Sequence, residues 1–521
     1  MTTSDLDSGR FRLRRLVEQL AGLGEVEVHD EPVALADLSS MIEASDKAVL
    51  FRKAGPEQVE LVAGVMGSRR RLAIALGVEE EDSLREYERR LANPQRHFEV
   101  PSPDAPVHQV VLTGDDIDLT TLPFHLQHDL DGGPYISSAI DFSVDPVTRR
   151  HNVGCRRLML RGRQHLTTNL TAPSDLKLTY QACVERGERL PISFAVGSHP
   201  TSYLAATSRR PVDEFDLLAT MRGAPLPMVR GVTNGVPAPA DAEMIIEGYL
   251  DELGYRELDG PYGEFWGFYG AAHIDPFFHV TAIAMRRDVL HQSMLHGCRD
   301  LARMEATAVG ALHTESAVTT ALRAMRIAPA AVHAVGSVAT GQHVRVAIDS
   351  AAAPGQARAV ISALFALPGM KHVVVVDSDI DVRNDADVQW ALSTRFRADR
   401  DLIVAEGFPG YYSDPTISES RTLSKVGFDA TAGLPGDSLV NWRPTPPRVS
   451  RAQVSTHPAG SVREALRDGP LYFREIMDAL GSDDGREIAL ELEELREEGV
   501  LTRGPNWQWE LTDKITQLRP D

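Results

Sequence analysis

The sequence is poor in cysteine, in long apolar runs and in positive charge. Its three cysteines, Cys155, Cys183 and Cys298, are too widely spaced in 521 residues for a metal knuckle or a disulfide framework. No run approaches the ~18 apolar residues that a membrane helix needs, and the first residues lack the basic and apolar regions of a signal peptide. We therefore expect a cytoplasmic protein with no membrane partner.

Acidic residues outnumber basic residues by 74 to 54, and the formal net charge is −20. A surface of this sign repels nucleic acid and anionic lipid, so we expect no nucleic-acid partner. Hydrophobic residues make up 43% of the chain, which is ordinary for a globular protein with substantial cores. At about 100–200 residues per domain, the length corresponds to roughly three or four domains.

Hydrophobic periodicity changes along the chain and predicts a mixed α/β and β fold. Residues 1–107 combine an amphipathic helix over 10–24 with short strands, which predicts an N-terminal α/β domain. Residues 108–317 consist mostly of short strands separated by turns, which predicts a β-barrel-like domain with inserted helices. Residues 318–440 place an apolar strand at 372–377 between helical patterns, which predicts a second α/β domain.

The last part of the chain is predicted to be separate. A Pro-rich linker covers 441–460, and residues 461–521 show three helical patterns followed by a short hairpin. Helix-helix-helix-wing is the order of a winged helix, but the third helix at 486–498 carries six glutamates against two arginines. An acidic recognition helix opposes DNA binding, which a metabolite-sensing regulator would need. We therefore favour a packing or oligomerisation module over such a regulator.

Two carboxylates flank a tight turn in the predicted barrel. Asp259 and Glu264 enclose a Gly-Pro-Tyr-Gly turn and precede an aromatic, glycine-rich segment. Pro261 fixes one backbone angle and the glycines permit a tight return, so the turn sets the separation of the acids. Apolar neighbours would favour the protonated form of one carboxyl, as acid–base catalysis requires. A solvated acidic turn before a strand is the alternative.

Other polar residues stand in patterns that suit ligand binding. Asn152 and Arg157 lie on one predicted strand, on opposite faces unless the intervening glycine bends the chain. Arg157 could clamp a substrate carboxylate or pair with Glu264, or simply be exposed. Glu214 either caps a helix or joins Asn152 on a hard cation. Lys425 stands among small and hydroxyl residues, which suits phosphate binding.

The order of these motifs resembles the UbiD family of prenylated-FMN-dependent decarboxylases. The resemblance covers about residues 10–435, from the Asn-x-x-x-x-Arg strand through the Asp-Gly-Pro-Tyr-Gly-Glu turn to a late Ser-Lys-Val-Gly-Phe-Asp-Ala-Thr segment. It implies an N-terminal α/β domain, a central split β-barrel that binds the flavin and an α/β oligomerisation domain. It also implies a homodimer or a higher homo-oligomer.

The resemblance implies a cofactor site. The cofactor would be prenylated FMN, supplied by a partner FMN prenyltransferase and bound with a divalent metal, Mn or Mg, and possibly K. Asn152 and Glu214 would be metal ligands, and Lys425 would contact the phosphate. Relatives usually add a histidine ligand between the arginine strand and Pro191, but this chain has no histidine there after His165. Asn169, Thr171 or Asp175 could replace it with an oxygen ligand.

The resemblance also implies a mechanism and a substrate class. Arg157 would hold the substrate carboxylate and the reactive edge of the cofactor, Glu264 would be the proton donor, and Asp259 would complete an acid–arginine–acid network. His291 and His296 follow the turn and could line the substrate pocket or merely pack in the barrel. We expect an aromatic or heteroaromatic acid of indole, phenazine or phenol type. The alternatives are an acrylic-type acid, or a flavin-binding protein without decarboxylase activity.

Overall fold

A computed structural model describes residues 9–336, 342–349, 352–432, 459–504 and 507–512. The chain divides into two compact units, Met1–Pro444 and Thr445–Asp521. The predicted Pro-rich linker lies outside the described residues except for its last two positions. In the described part of the chain, no helix is both long enough and apolar enough to cross a membrane.

The strands are β1 (Val26–His29), β2 (Ala48–Ala54), β3 (Val59–Ala63), β4 (His97–Glu99), β5 (Val110–Thr113), β6 (Tyr135–Val144), β7 (His151–Leu160), β8 (His165–Thr168), β9 (Leu190–Val196), β10 (Leu226–Arg230), β11 (Pro237–Pro239), β12 (Met244–Asp259), β13 (Tyr262–Gly263), β14 (Tyr269–Gly270), β15 (His273–Met285), β16 (His291–Ser293), β17 (Ala331–Ala334), β18 (His343–Ile348), β19 (His372–Asp377), β20 (Leu402–Pro409), β21 (Thr422–Asp429), β22 (Leu501–Arg503) and β23 (Trp509–Leu511).

The α-helices are α1 (Leu13–Gly22), α2 (Leu38–Ala44), α3 (Arg69–Leu76), α4 (Ser83–Leu91), α5 (Asp175–Glu185), α6 (Pro200–Ala206), α7 (Glu214–Arg222), α8 (Glu305–Ala324), α9 (Gln356–Phe365), α10 (Asp385–Thr394), α11 (Ala398–Asp401), α12 (Val462–Ala465), α13 (Phe473–Leu480) and α14 (Arg486–Glu497).

The N-terminal sheet is completed by a strand from much later in the chain. Its order is β1-β2-β3-β16, and β16 pairs with β3 in parallel. Helix α1 buries Leu13, Leu16, Val17 and Leu20, whose helical spacing was visible in the sequence. The N-terminal domain therefore does not form from consecutive residues alone, because the chain returns to it after the barrel.

The central sheet closes on itself. Strands β12, β9, β6, β7, β8 and β15 follow one another around a ring that the β12–β15 pairing completes, while β5 extends β15. The apolar core of this barrel includes Leu158, Phe194, Ile246 and Phe278, all fully buried. The prediction of a central β-barrel within a mixed α/β fold is confirmed.

The third sheet has the order β17-β18-β19-β21-β20, with β18, β19 and β21 parallel. Helix α9 packs on this sheet through Val360, Ile361 and Leu364. The 20-residue helix α8, which was not predicted, precedes the sheet. The predicted domain boundary between residues 317 and 318 falls inside this helix.

The second unit has the predicted helix-helix-helix-hairpin order. Helices α12, α13 and α14 precede the β22–β23 hairpin, and Leu471 forms a bridge with Trp509. Ile488, Leu492 and Leu495 of α14 are buried in its core, so the glutamates of this helix lie on the other faces.

Candidate active site

Asp259 and Glu264 stand at the two ends of a turn at the end of the longest barrel strand. Asp259 is the last residue of β12, and the second half of the turn, Tyr262–Gly263, forms β13 and pairs with β14. The Glu264 amide donates to the carbonyl of Phe268 at 3.0 Å. Gly260 has a φ of 85°, a conformation that favours glycine. The turn therefore fixes the backbone on both sides of the two acids.

Arg157 of β7 lies between these two carboxylates. Its Nη1 pairs with Oε1 of Glu264, and its Nη2 lies 3.4 Å from Oδ1 of Asp259. Asp259 is fully buried, whereas the Glu264 side chain is 19% exposed. Burial lowers the pKa of Arg157, but Glu264 and Asp259 outweigh it and raise that pKa, so the guanidinium stays charged. The structure thus brings together the three predicted side chains.

Polar and aromatic neighbours support this trio. The Thr167 hydroxyl donates to Oδ2 of Asp259 at 2.5 Å, and the Tyr135 hydroxyl donates to Oδ1 at 3.2 Å. The Tyr262 ring lies 4.4 Å from the Arg157 guanidinium. Sequence reasoning missed Thr167 and Tyr135, since neither belongs to a motif and β-sheet pairing alone brings them to the turn.

The two candidate pocket histidines lie in different surroundings. His296 contacts the Tyr262 hydroxyl through Nδ1 at 3.2 Å, beside the trio. Burial, then the charge of Arg157, lowers the pKa of His296 to about 3, so its ring is neutral. His291 lies on β16, where burial lowers its pKa to about 4. Its Nδ1 is buried without a hydrogen-bond partner among the described residues.

A second polar group surrounds the start of β7. Asn152 Nδ2 donates to Oδ2 of Asp141 at 2.7 Å, and the Val153 amide donates to the Glu214 carboxylate. Burial raises the pKa of Asp141 to about 6, although Arg156 lies 3.0 Å away and opposes the rise. Burial also raises the pKa of Glu214 to about 7, and the charge of Asp141 adds to this effect. Sequence reasoning missed Asp141.

The two groups use opposite faces of β7. Asn152 and Arg156 share the face on which Asp141 lies. Arg157, one residue later, points to the opposite face and contacts Asp259 and Tyr262. A side chain at Gly154 would come within 2.9 Å of Asp141 Oδ1, so the glycine makes room for that carboxylate. The simple alternation expected from the sequence therefore describes this strand.

One of the three proposed replacements for the histidine ligand lies in the electrostatic field of Glu214. Asp175, the first residue of α5, is among the charges that raise the pKa of Glu214, after burial and Asp141. Asn169 instead accepts a hydrogen bond from the Thr171 hydroxyl at 3.1 Å. Of the three candidates, Asp175 is thus the one whose charge acts on Glu214.

Three protein-family models match the chain in succession. The N-terminal, Rift-related and C-terminal domains of 3-octaprenyl-4-hydroxybenzoate carboxy-lyase match residues 17–91, 98–298 and 307–430. The chain belongs to the UbiD family. The residues that carry the trio all fall within the central, Rift-related match.

Solved and curated relatives each match more than four fifths of the chain. The UbiD-class enzyme HmfF from Pelotomaculum thermopropionicum, solved with FMN, is 30% identical, with a TM-score of 0.76 over 84% of this chain and 97% of that one. Anhydromevalonate phosphate decarboxylase from Methanosarcina mazei is 28% identical over 81% of this chain and 96% of its own length. Apo 3,4-dihydroxybenzoic acid decarboxylase from Klebsiella pneumoniae is 25% identical, with a TM-score of 0.74 over 81% and 94%.

A cluster of possible metal ligands adjoins Glu214 and was not predicted. His97, Asp213 and Asp216 place one ligand atom each within 4.8 Å of one another. Each already has a protein partner: Asp213 accepts the first amides of α7, and Asp216 pairs with His97 Nδ1 at 2.7 Å and with Arg96. These contacts fix the start of α7 and thereby the position of Glu214.

The structure does not bring Lys425 to either group. Lys425 lies on β21 in the third sheet, 2% exposed, and its ammonium donates to the carbonyls of Phe365 and Leu367 at 2.7 and 3.1 Å. These carbonyls end helix α9, where a positive charge is favoured by the helix dipole. These contacts give Lys425 a structural role, and its assignment to a phosphate stays a prediction.

Proposed function

We propose that this UbiD-family chain is a reversible, non-oxidative decarboxylase of an aromatic or heteroaromatic acid that uses prenylated FMN. The convergence of Arg157, Asp259 and Glu264 on one buried turn carries the proposal. Flavin binding is supported by relatives solved with FMN and with prFMN. The cofactor would come from an FMN prenyltransferase, and the assembly would be a homodimer or larger; an evolved form of HmfF is dimeric.

The chain offers polar atoms that fit this cofactor. Nε of Arg157 is buried and has no hydrogen-bond partner among the described residues, so a donor is available beside the trio. Asn152 lies five residues earlier on the same strand, roughly 16 Å away at about 3.3 Å per residue. Because the two side chains leave β7 on opposite faces, Arg157 would hold the reactive edge of the cofactor, whereas Asn152 would act on it through the bound metal.

The polar residues at the start of β7 fit a hard divalent cation such as Mn or Mg. Asn152, Glu214 and Asp141 supply oxygen atoms, and Asp175 adds negative charge. The raised pKa of Glu214, about 7, reflects its burial among other carboxylates, which a cation would relieve. Asn152 and Glu214 would be the ligands to the metal, with Asp175 in place of the missing histidine. The same carboxylates would also attract K, if the site binds it together with the divalent cation.

Bound prenylated FMN supplies the electron sink that protein side chains lack. Arg157, held by Asp259, orients the substrate carboxylate. Glu264 then delivers a proton to the carbon atom that has lost CO₂, and its 19% exposure gives solvent access for its reprotonation. Thr167 and Tyr135 hold Asp259, so the arginine keeps its direction while Glu264 changes protonation state.

An aromatic wall beside Glu264 supports the proposed substrate class. Trp266 is 8% exposed, and its ring lies 6.3 Å from Phe265, 6.3 Å from Phe268 and 5.8 Å from Tyr411. Burial, then Tyr411 and Glu264, raises the pKa of Tyr412, which places this second tyrosine in the field of Glu264. Flat aromatic acids match such a wall by stacking.

The test is CO₂ release by protein co-expressed with an FMN prenyltransferase, over indole-, phenol- and phenazine-type carboxylic acids and an acrylic-type acid. We expect turnover of an aromatic acid, and a fall in kcat of about 10²- to 10⁴-fold in Glu264→Gln. Glu257→Gln is the matched control, because Glu257 pairs with Arg161 outside the trio. Turnover of the acrylic-type acid alone would refute the substrate class. NAD(P)H-dependent reduction without CO₂ release would refute the reaction.

A further inference from the structure

The loop at residues 127–132 holds three consecutive residues of the turn that leads to Glu264. The Gly132 amide donates to the Pro261 carbonyl at 2.8 Å, and the Tyr262 hydroxyl donates to Oε1 of Gln127 at 2.6 Å. The Gly263 amide donates to Oδ1 of Asp131 at 2.9 Å. This loop therefore grips the turn immediately before the proposed proton donor.

Asp131 is held in place by its own loop. Its side chain is fully buried, and its Oδ2 accepts the amides of Gln127 and His128 at 3.3 and 3.0 Å. Both oxygens lie 3.2 Å from Nδ1 of His128. These contacts fix the orientation of the Asp131 carboxylate toward the His128 ring.

His128 faces acceptors with both ring nitrogens. Nε2 lies 2.7 Å from the Gly297 carbonyl, while Nδ1 faces the Asp131 carboxylate. A carbonyl cannot donate, and the Asp131 oxygens already accept amide hydrogen bonds, so each ring nitrogen must carry a proton to satisfy these contacts. The geometry is that of an imidazolium–carboxylate pair.

This pair packs directly on the backbone around Glu264. A side chain at Gly263 would come within 2.3 Å of the His128 ring, and one at Gly297 within 3.1 Å of the Glu264 carbonyl. His128 thus lies against the residue before Glu264, while the Gly297 segment that it binds lies against Glu264 itself. Interiors this dense transmit small displacements to their neighbours.

We propose that His128 and Asp131 form a clamp that positions Glu264 for proton transfer. They are positioning residues, because they act through the backbone of Gly263 and Gly297. The proposal rests on the proposed function, in which Glu264 is the proton donor. A displacement of the donor by about 1 Å lowers the rate about 100-fold, so the clamp should affect kcat more than KM.

The clamp should weaken as His128 loses its second proton. The groups that face His128 are the Asp131 carboxylate, the Glu43 carboxylate, the neutral His296 ring and the rings of Tyr262 and Tyr269. Burial lowers the pKa of His128, but Asp131 and the Gly297 carbonyl outweigh it, so this pKa lies above its usual range. The imidazolium is present below that pKa, and activity should fall as the pH rises through it.

The experiment compares holoenzyme of the wild type, His128→Gln, Asp131→Asn and the control His29→Gln, whose ring stacks on Phe51 in the N-terminal sheet. We expect kcat to fall about 10- to 100-fold in both clamp variants, with KM and the flavin spectrum little changed. His128→Gln should also lose the alkaline decline of kcat. Amide hydrogen exchange across residues 260–270 should be faster in both clamp variants.

Unchanged kcat, a retained alkaline decline in His128→Gln or unchanged amide exchange would each overturn the clamp. Failure of the proposed function has a different signature, because the wild type itself would then release no CO₂. The amide exchange measurement needs no turnover, so it decides the clamp even in that case. It also serves if one clamp variant folds poorly, since the other variant reports on the same turn.

Discussion

Helix α8 carries two buried glutamates whose pKa values are shifted in opposite directions. Glu305 is 2% exposed, and its Oε1 accepts the Met66 amide at 3.4 Å. Burial raises its pKa to about 7. Glu315 is fully buried and pairs with Arg69 at 2.6 Å. Burial raises the pKa of Glu315, but His333 and Arg69 outweigh it and lower that pKa below its usual range.

These surroundings predict opposite effects of the same substitution. The folded state binds the Glu305 proton more tightly than the unfolded state. Proton binding therefore contributes fully to the free energy of unfolding below pH 4.5, and this contribution is lost as the pH rises through about 7. At about 1.36 kcal/mol per pH unit, the loss approaches ~3 kcal/mol. When the pH is raised from about 5 to about 8, the free energy of unfolding of Glu305→Gln should therefore increase relative to that of the wild type by up to ~3 kcal/mol.

Glu315→Gln is the matched control on the same helix. It leaves Arg69 without its carboxylate, and breaking a buried pair in this way costs about 3–5 kcal/mol. The lowered pKa of Glu315 keeps its stabilising charge above pH 4.5, so the variant should be less stable at both pH values. Chemical unfolding followed by fluorescence measures both variants. An equal difference between wild type and Glu305→Gln at the two pH values would refute the reasoning.

Three further outcomes are expected. Thr167→Val, which is nearly isosteric, leaves Oδ2 of the buried Asp259 without the hydroxyl at 2.5 Å. It should lower the free energy of unfolding by about 1.5–3 kcal/mol and reduce kcat. In the control Thr120→Val, the lost hydroxyl donates at the same distance to a carboxylate in an exposed position, Asp118, so kcat should not change and the free energy of unfolding should change by less than about 1 kcal/mol. Lys425→Met should lower thermal stability by freeing the carbonyls that end α9, and flavin affinity measured by fluorescence quenching should not change; weaker flavin binding would restore the phosphate role. Asp175→Asn should weaken Mn binding, measured by electron paramagnetic resonance, about 10-fold or more, and an unchanged affinity would remove Asp175 from the metal site.

The motif around the turn can be predicted from the sequence because its parts are close together in the chain. Asp259 and Glu264 are separated by a turn whose proline and glycines specify its shape, so their proximity follows from local chemistry. The alternation of Asn152 and Arg157 on β7 was likewise a local property. Asp141, Thr167 and Tyr135 could not be found in this way, because strand pairing and long-range packing bring them to these residues.

Local patterns also misplaced or missed some elements. Helix α8 mixes small, polar and apolar residues without a clean apolar stripe, so its 20 residues were not predicted and a domain boundary was drawn through it. Strand β16 has three residues and no recognisable signal, yet it completes the N-terminal sheet. Lys425 looked available for phosphate, but burial in the third sheet directs it to helix carbonyls.

The sequence by itself determined the succession of a helical and strand-bearing N-terminus, a strand-rich centre, an α/β segment and a separate acidic module, together with the acidic turn. Periodicity and turn chemistry are encoded over a few neighbouring residues, so these features needed no tertiary contact. The tertiary structure decided which side chains face Arg157 and Asn152, and that residues 127–132 hold the turn of Glu264. The contacts of Arg157 with Asp259 and of Gly263 with Asp131 join positions more than 100 residues apart, and such contacts form only when the barrel closes and packs.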